Sequence, residues 1–273
     1  MSSIDDLLQH AAGEYTLENF PTTIYGADDD VDIMYLKVLR KWMEMKPTSR
    51  FEYRSRLSEF VPKFVFRSLE MHKVEMRFKT VSDFFRSSDC LFEYLGKARD
   101  ICLLVNHKNL FDVIYQDLAE AKPLSVSMIM EYHSILLAGC YYGTIWDSGE
   151  RPGSLKKNPS PPGLDLEAEL NRIIMDLYYQ SNQPIHTKLS TVSKFYLDFM
   201  FLSPFAIGND VLCRVLSNYL LMYFGLPPVV FNKYYEEQLD EARAIYFSNR
   251  PDLYEFNRCI EKITNESLWG KGV

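Results

Sequence analysis

Cysteine is scarce in this sequence, and no two cysteines form a C-x-x-C pair. The five thiols are scattered at positions 90, 102, 140, 213 and 259 of the 273-residue chain. An odd, unpaired set argues against a disulfide framework or a zinc knuckle, and it is typical of a reducing compartment. We therefore expect these cysteines to act as small buried hydrophobic residues.

Segments that carry proteins into or across membranes are also missing from the sequence. No run reaches the roughly 18 apolar residues that a membrane-spanning helix needs. The first residues, MSSIDDLLQHAAGEY, have neither the basic start nor the apolar core of a signal peptide. We expect a cytoplasmic location, with the nucleus as the alternative, and no membrane partner.

The sequence also lacks an overall positive charge that could hold nucleic acid. The net charge is −7, and the one stretch with a basic excess, Arg50–Arg86, carries nine Lys or Arg against five Asp or Glu. We interpret this excess as a solvated face, because nucleic-acid binding domains normally carry an overall basic balance. No nucleic-acid partner is expected.

Apolar residues are abundant, and most of them recur at the spacing of an α-helix. The chain is 47% hydrophobic and 14% aromatic, which is enough to bury the core of one large domain, with or without an extension. Strand-like alternation is scarce. The pattern predicts an all-α fold with helices at about 31–45, several between 52 and 120, and then at 124–143, 166–180, 187–202, 209–223, 233–247 and 251–266. In the segment 124–143, Ser125 is the predicted N-cap, and Gly139 or Gly143 is the predicted stop.

One segment, residues 144–165, is not compatible with a regular helix. Three glycines and four prolines interrupt it, namely Gly149, Pro152, Gly153, Pro159, Pro161, Pro162 and Gly163. A loop of this length inside a compact domain is usually functional or flexible.

A short turn between two helical runs, SPFAIGNDVLCR at residues 203–214, matches a known signature. The signature is H-P-F-x-[D/E]-G-N-G-[R/K]-x-x-R, and the matching residues at the right spacing are Pro204, Phe205, Gly208, Asn209 and Arg214. On these residues, the region 124–263 resembles the Fic family. Members of that family transfer AMP, or another phosphate-linked group, from a nucleotide to a protein hydroxyl.

Three further segments support the resemblance. LSVSMIMEYHSILLAG, from residue 124, is similar to a family helix with a central histidine, here His133. The segment 147–158 lies where the family has a β-hairpin flap that clamps the target chain, and FGLPPVVFNKYYEEQLDEA is similar to the family's exit from the motif helix. The resemblance implies a Fic-like helical domain over 121–273, a short β-hairpin flap near 145–158, and an N-terminal helical extension over 1–120.

Four motif positions depart from the family's pattern. The resemblance places the general base at Ser203, but a serine hydroxyl does not accept a proton near neutral pH, and losing such a base costs about 10²–10⁴ in rate. Ile207 stands in place of the carboxylate that holds magnesium, and it offers no oxygen to a hard cation. Asp210 replaces a glycine that lets phosphate approach, and Val211 replaces an arginine that clamps phosphate. We therefore expect no cofactor, neither ATP nor magnesium, and no metal site.

Asp210 and Arg214 have two interpretations from the sequence. Two unit charges about 4 Å apart interact by roughly 4 kcal/mol at an effective dielectric of 20, so Asp210 would repel the phosphates of a nucleotide. A carboxylate in a first helical turn also satisfies free N–H groups, and Arg214, one turn later, can form an i,i+4 pair with it. Ligand binding by Arg214 is the alternative that stays open.

The resemblance also implies a regulatory contact. In many family members an inhibitory helix supplies a glutamate to the final motif arginine, and the nearest candidate here is Glu93, within DCLFEY at residues 89–94. His133, on an otherwise apolar helix, is predicted to be a hydrogen-bonded core histidine. The candidate pocket residues are Ser203, Asp210 and Arg214, and the candidate ligand-binding residues are Gly208, Asn209, Glu150 and Arg151.

The sequence thus favours a Fic-like pseudoenzyme, a binding or regulatory protein that lacks AMP transfer. One alternative is a repurposed enzyme that uses the vacated nucleotide pocket for a different small-molecule reaction. A second alternative is residual AMP transfer to a protein hydroxyl with an unusual base. The partner, a protein or a small-molecule ligand, and the oligomeric state are left open by the sequence.

Overall fold

The structure, a computed structural model, describes residues 30–45, 47–87, 97–140, 143, 149–179, 185–248 and 252–266. In these ranges the regular structure is helical, with eleven α-helices, one 3₁₀ turn and no strand, so the all-α prediction is confirmed. The helices are α1 Asp30–Met45, α2 Arg50–Arg56, α3 Phe60–Met71, α4 Phe78–Arg86, α5 Ala98–Ala119, α6 Val126–Leu136, α7 Leu166–Tyr179, α8 Ile185–Leu202, α9 Asn209–Tyr223, α10 Glu236–Tyr246 and α11 Tyr254–Glu266.

The helices of the C-terminal half begin and end close to where the sequence pattern places them. The predicted helix over 233–247 opens with a 3₁₀ turn, Lys233–Tyr235, which Asn232 caps by accepting the N–H of Tyr234 at 3.0 Å. Among the described residues, no helix combines the length and the apolar character needed to span a membrane.

The chain divides into two compact units by its internal contacts. The first unit comprises 1–46, 172–198 and 217–273, and the second comprises 47–171 and 199–216. The division falls within α7, α8 and α9, because each of these helices contributes residues to both units. The boundary at residue 120 that the sequence suggested stays a prediction.

In the first unit, α1 packs against α11 and encloses a buried ion cluster. The guanidinium of Arg258 contacts the carboxylates of Asp32 and Glu261, and the latter contact measures 2.7 Å. All three side chains are buried. In the same unit, Asn218 holds the chain after α9 with two hydrogen bonds to the backbone of Val229, at 2.6 and 3.0 Å.

In the second unit, α3 packs against α4 and α5, and α5 also packs against α2 and α6. Aromatic rings fill this core: Phe64 stacks on Phe60 with centroids 6.0 Å apart and meets Phe111 edge to face at 5.6 Å. The hydroxyl of Tyr132 donates to Asp117 at 2.7 Å, which joins α6 to α5 by a buried hydrogen bond. The core therefore gives α6 a fixed position on α5.

Helix α6 begins at the predicted cap and ends just before Gly139, one of the two glycines predicted to stop it. Ser125 caps the helix by accepting the N–H of Met128 at 3.2 Å, and the last helical residue is Leu136. The Asn106 side chain donates to the carbonyls of Leu136 and Ala138, at 3.0 and 2.7 Å, and so ends the helical hydrogen-bond pattern. Gly139 follows with φ +68°, a left-handed conformation that suits glycine.

The β-hairpin expected near 145–158 is not present in the described part of that segment, 149–158, which forms a loop. Its backbone bonds to side chains instead of to a partner strand. Glu150 accepts the N–H of Lys157 at 3.0 Å, and the Ser154 hydroxyl accepts the N–H of Arg151 at 3.0 Å. Pro152 and the left-handed Gly153 interrupt the alternation that a ladder requires.

Candidate functional site

Ser203 closes the end of α8 with its own hydroxyl. The residue has φ +43°, its N–H donates to the carbonyl of Phe199 at 2.9 Å, and its Oγ donates to the carbonyl of Met200 at 2.6 Å. The hydroxyl hydrogen is therefore directed back at the helix. The position at which the family resemblance places a general base thus holds a hydroxyl that caps the last turn of α8.

Asn209 fixes the shape of the turn between α8 and α9. Its Oδ1 accepts the N–H of Phe205 at 2.9 Å, and its Nδ2 donates to the carbonyl of Phe205 at 2.8 Å. Gly208 has φ +76°, and a Cβ there would approach the Leu137 side chain to 3.1 Å. These two predicted ligand-binding residues thus serve the geometry of the turn.

His133 of α6 packs against the turn and bonds to it. Its ring stacks on Phe205 with centroids 3.8 Å apart and an interplanar angle of 11°. Its Nδ1 accepts the N–H of Gly153 at 2.8 Å, so the ring proton lies on Nε2, which donates to the carbonyl of Ile207 at 3.0 Å. Burial lowers the pKa of His133 to about 4. The prediction of a hydrogen-bonded core histidine is confirmed.

Arg214 and Asp210 form the ion pair that their spacing on α9 allows. The Arg214 guanidinium is buried, with 2% of the residue exposed, and its Nη1 lies 3.6 Å from Oδ2 of Asp210. The same carboxylate oxygen lies 3.3 Å from Nε2 of His72, which is also 3.5 Å from Nη2 of Arg214. Ser68 of α3 accepts from the guanidinium at 3.5 Å.

This cluster of Ser68, His72, Asp210 and Arg214, which we call the arginine cluster, sits at the N-terminus of α9. The carboxylate of Asp210 lies in the first turn of that helix, where the helix dipole favours a negative charge. Its side chain remains 42% exposed, so solvent screens part of its attraction to Arg214. Asp210 thus supplies the anion at the helix terminus where the resemblance would place phosphate.

A second buried histidine lies beside the arginine cluster. His107 of α5 is fully buried, and its Nδ1 lies 2.7 Å from the carbonyl of Leu103, to which it must donate. Its Nε2 has no hydrogen-bond partner among the described residues. Burial, together with the smaller effect of the charges of His72 and Arg214, lowers the pKa of His107 to about 4. Burial likewise lowers the pKa of His72, although Asp210 opposes that effect.

The remaining predicted site residues bond within their own loop or fall outside the described residues. Glu150 uses one carboxylate oxygen within its own loop, and the Arg151 guanidinium donates to the carbonyl of Glu150 at 2.8 Å. The loop reaches the turn through Lys156, whose N–H donates to the carbonyl of Pro204 at 2.9 Å. Glu93 falls outside the described residues, so its pairing with Arg214 stays a prediction.

Sequence reasoning missed Ser68 and His72, two of the four residues of the arginine cluster. They precede Arg214 by 146 and 142 positions, and no motif spacing links them to it. No local pattern singles them out, because Ser68 is one of several polar residues of α3, with Lys63, Arg67 and Glu70, and His72 follows the end of that helix. Among the described residues, no group of three His, Cys, Asp or Glu side chains is placed to hold a metal ion.

The two buried histidines predict a loss of stability in mild acid. Their pKa values near 4 lie below the ordinary 6.5, so the unfolded chain binds protons that the folded chain does not. The contribution of these two histidines to stability is therefore constant above about pH 7 and falls as the pH drops from about 6.5 to 4, by roughly 2 kcal/mol for each histidine at about pH 5. Urea unfolding at pH 7 and at pH 5 measures this drop in the free energy of unfolding.

The variant His107→Gln provides the control for this pH dependence. It removes one of the two titrating groups, and we expect it to lose about half of the drop in unfolding free energy between pH 7 and pH 5. A variant that keeps the whole drop would show that carboxylates, and not the buried histidines, carry the effect.

Gly153→Ala is expected to loosen the contact between the loop and His133. An added Cβ would lie 2.9 Å from the Ser134 Cβ and 3.1 Å from the Met130 carbonyl, and the residue has φ +85°. Gly163→Ala is the matched control, because Gly163 has φ +82° and nothing within 4 Å of the added Cβ. We expect the first change to lower stability by about 1–3 kcal/mol more than the second. Equal losses in thermal unfolding would contradict the packing shown for Gly153.

Comparison with known proteins establishes the fold. No protein-family profile matches the sequence. A Fic domain containing signaling protein from Bacteroides thetaiotaomicron is similar in structure, with a TM-score of 0.65, 15% identity, and coverage of 85% of this chain and 92% of that chain. Fic-1 from C. elegans gives a TM-score of 0.62, 18% identity, and coverage of 84% and 68%. A Fic family protein from Desulfovibrio desulfuricans gives a TM-score of 0.61 and 13% identity, with coverage of 90% of this chain and 76% of that chain.

These likenesses confirm, at the level of the fold, the resemblance that the motif residues indicated. The chain has the all-α fold of Fic domain proteins. The identities lie between 13% and 18%, so the comparison carries the architecture and leaves the chemistry to the residues of this chain.

Proposed function

We propose that this Fic-fold protein is a binding or regulatory protein that does not transfer AMP. The observation that carries the proposal is the position of Asp210. Its carboxylate lies 3.6 Å from the buried guanidinium of Arg214, at the helix N-terminus that the resemblance assigns to phosphate. A nucleotide would have to displace this carboxylate and bring its own negative charge beside it, and the repulsion is on the order of 4 kcal/mol at an effective dielectric of 20.

The groups that would move a proton support the same proposal. The Ser203 hydroxyl donates to the carbonyl of Met200, and it has no pKa suited to a general base. His133 is the nearest histidine of the turn, but both of its ring nitrogens bond to the backbone, at Gly153 and Ile207. An unusual base for residual AMP transfer therefore finds no support in these side chains.

The residues present also give no support for a magnesium site. Ile207 contributes a carbonyl that His133 already engages, and it has no side-chain oxygen for magnesium. Val211, at the position of a phosphate-clamping arginine, is buried. The proposal therefore includes no ATP or magnesium cofactor. It leaves a protein or a small molecule as the partner. We also infer a location in the cytoplasm, or alternatively the nucleus, because five scattered cysteines without a C-x-x-C pair suit a reducing compartment.

Transfer of a label from ATP tests the proposal. The wild-type protein is incubated with magnesium and with ATP labelled on its α-phosphate, alone and with a mixture of acceptor proteins. The variant Arg214→Ala serves as the blank, and a Fic protein with a complete motif serves as the positive control. We expect the label on protein to equal the blank. Label that exceeds the Arg214→Ala level would overturn the proposal and favour residual transfer.

A further inference from the structure

The second unit contains a cleft that is separate from the turn and the arginine cluster. It lies among α2, α3, α4 and α5 and has a volume of about 710 Å³. Cavities of roughly 300–1,000 Å³ are the usual size for small-molecule sites. None of the residues that line it belongs to the segment 203–214. The cleft therefore requires an explanation that does not depend on the Fic-like motif.

The lining of the cleft includes aromatic rings. Phe85 is half-buried there, whereas Phe111 and Tyr115 are 1% and 5% exposed and pack against each other with ring centroids 6.1 Å apart. Phe78 adds a ring that is 40% exposed and meets Phe66 edge to face at 5.5 Å. Flat rings present π faces that suit stacking or edge contact with another planar ring. The apolar wall thus favours an aromatic ligand.

The same lining carries an excess of cations. Four Lys or Arg residues line the cleft against two acidic residues, and Arg54 pairs with Asp112 at 2.9 Å. The other charged residues of the lining are three cations, Lys63, Arg86 and Lys108, and one carboxylate, that of Glu59. Lys108 is fixed over the Phe84 ring, with Nζ 4.7 Å from its centroid. The hydroxyls of Ser58 and Ser82 add donors to the same lining.

We propose that this cleft binds a small aromatic anion, a planar ring system that carries a carboxylate, sulfonate or phosphate group. The accessible rings of Phe78 and Phe85 contact the planar part, and Lys63, Arg86 and Lys108 attract the anionic group. The cleft accommodates a molecule of this size, whereas a stable protein interface needs about 800 Å² on each partner. The net charge of −7 on the chain disfavours a nucleic acid.

A pair of fluorescent probes tests the proposal on the full-length protein. 1-Anilinonaphthalene-8-sulfonate is a planar aromatic anion, and N-phenyl-1-naphthylamine has the same rings without the sulfonate. We expect the sulfonate to bind at least about 10-fold more tightly than the neutral probe, because the cations contribute only to the former. It should also raise the melting temperature, as a ligand of the native state does.

Charge variants locate the bound anion. The triple variant Lys63→Gln, Arg86→Gln and Lys108→Gln should weaken binding of the sulfonate by about 30-fold or more and leave the neutral probe nearly unchanged. Lys79→Gln is the matched control, since Lys79 lies exposed on the same α4 but does not line the cleft. Ser82→Trp, which places a large ring in the cleft, should weaken binding of both probes. Circular dichroism establishes that each variant is folded.

Three results would overturn the proposal. The first is equal binding of the sulfonate and the neutral probe. The second is a loss in Lys79→Gln as large as that in the triple variant, which would indicate a general charge effect. The third is displacement of the sulfonate by decaglutamate together with unchanged binding in Ser82→Trp, which would indicate an acidic-peptide surface. None of these results depends on AMP transfer, so the proposed function is tested separately.

Discussion

Replacing Arg258 by methionine should lower the free energy of unfolding by about 3–5 kcal/mol. Asp32 and Glu261, which contact its guanidinium, are 1% and 0% exposed. Without the cation, two carboxylates would be buried beside each other, and each would lose the charge that compensates for its desolvation. Equilibrium unfolding in urea measures the change.

Two further variants separate a buried ion cluster from a general loss of arginine. Arg40→Met, which removes an exposed i,i+4 pair with Glu44 on the same α1, should change stability by less than about 0.5 kcal/mol. The triple variant Asp32→Asn, Arg258→Met and Glu261→Gln removes every charge of the cluster and should recover much of the loss. A small effect of Arg258→Met, or no recovery in the triple variant, would contradict the description of α1 and α11.

Restoring the four departed motif positions should restore nucleotide binding, from none to an affinity in the micromolar range, about −8 kcal/mol. The variant carries Ser203→His, Ile207→Asp, Asp210→Gly and Val211→Arg. Glycine at 210 removes the carboxylate that neutralises Arg214, and aspartate at 207 supplies an oxygen to magnesium. Isothermal titration with ATP and magnesium measures the binding.

Two further variants serve as controls for this experiment. Val211 is buried, so the same set without Val211→Arg shows whether a buried cation, and not the site, limits the result. Asp210→Asn keeps the side-chain shape and removes only the charge that faces Arg214. If both the fourfold and the threefold variants are folded and neither binds nucleotide, the assignment of this turn to a phosphate site is wrong.

The helices could be predicted because their apolar residues repeat locally. The pattern Ile33, Leu36, Leu39 and Trp42 lies on one α-helix, and α1 covers it. The prediction of a β-hairpin was wrong for the described residues 149–158. It came from a family resemblance and not from the local sequence. The local chemistry gives a different outcome there, since Glu150 and Ser154 bond to the backbone of their own loop.

The site also contains contacts that local spacing predicts and contacts that it does not. The pair of Asp210 and Arg214 followed from one helical turn of separation, and it forms. His72 and Ser68 complete the arginine cluster from another helix, and their approach depends on how α3 packs in the second unit. The hydrogen bond that occupies Ser203 was equally hidden, because it requires a backbone at φ +43°. Tertiary packing determines these contacts, and a single sequence carries no direct signal for it.

The most direct test is the thermal unfolding of the wild-type protein with ATP and with GTP, each with and without magnesium. A nucleotide at about 100 times its dissociation constant would stabilise the native state by roughly 2.7 kcal/mol, which raises the melting temperature of a chain of this size by several degrees. We predict no shift with either nucleotide, because Asp210 holds Arg214. A clear shift in the wild-type protein would contradict the claim that the carboxylate of Asp210 closes this helix terminus to phosphate.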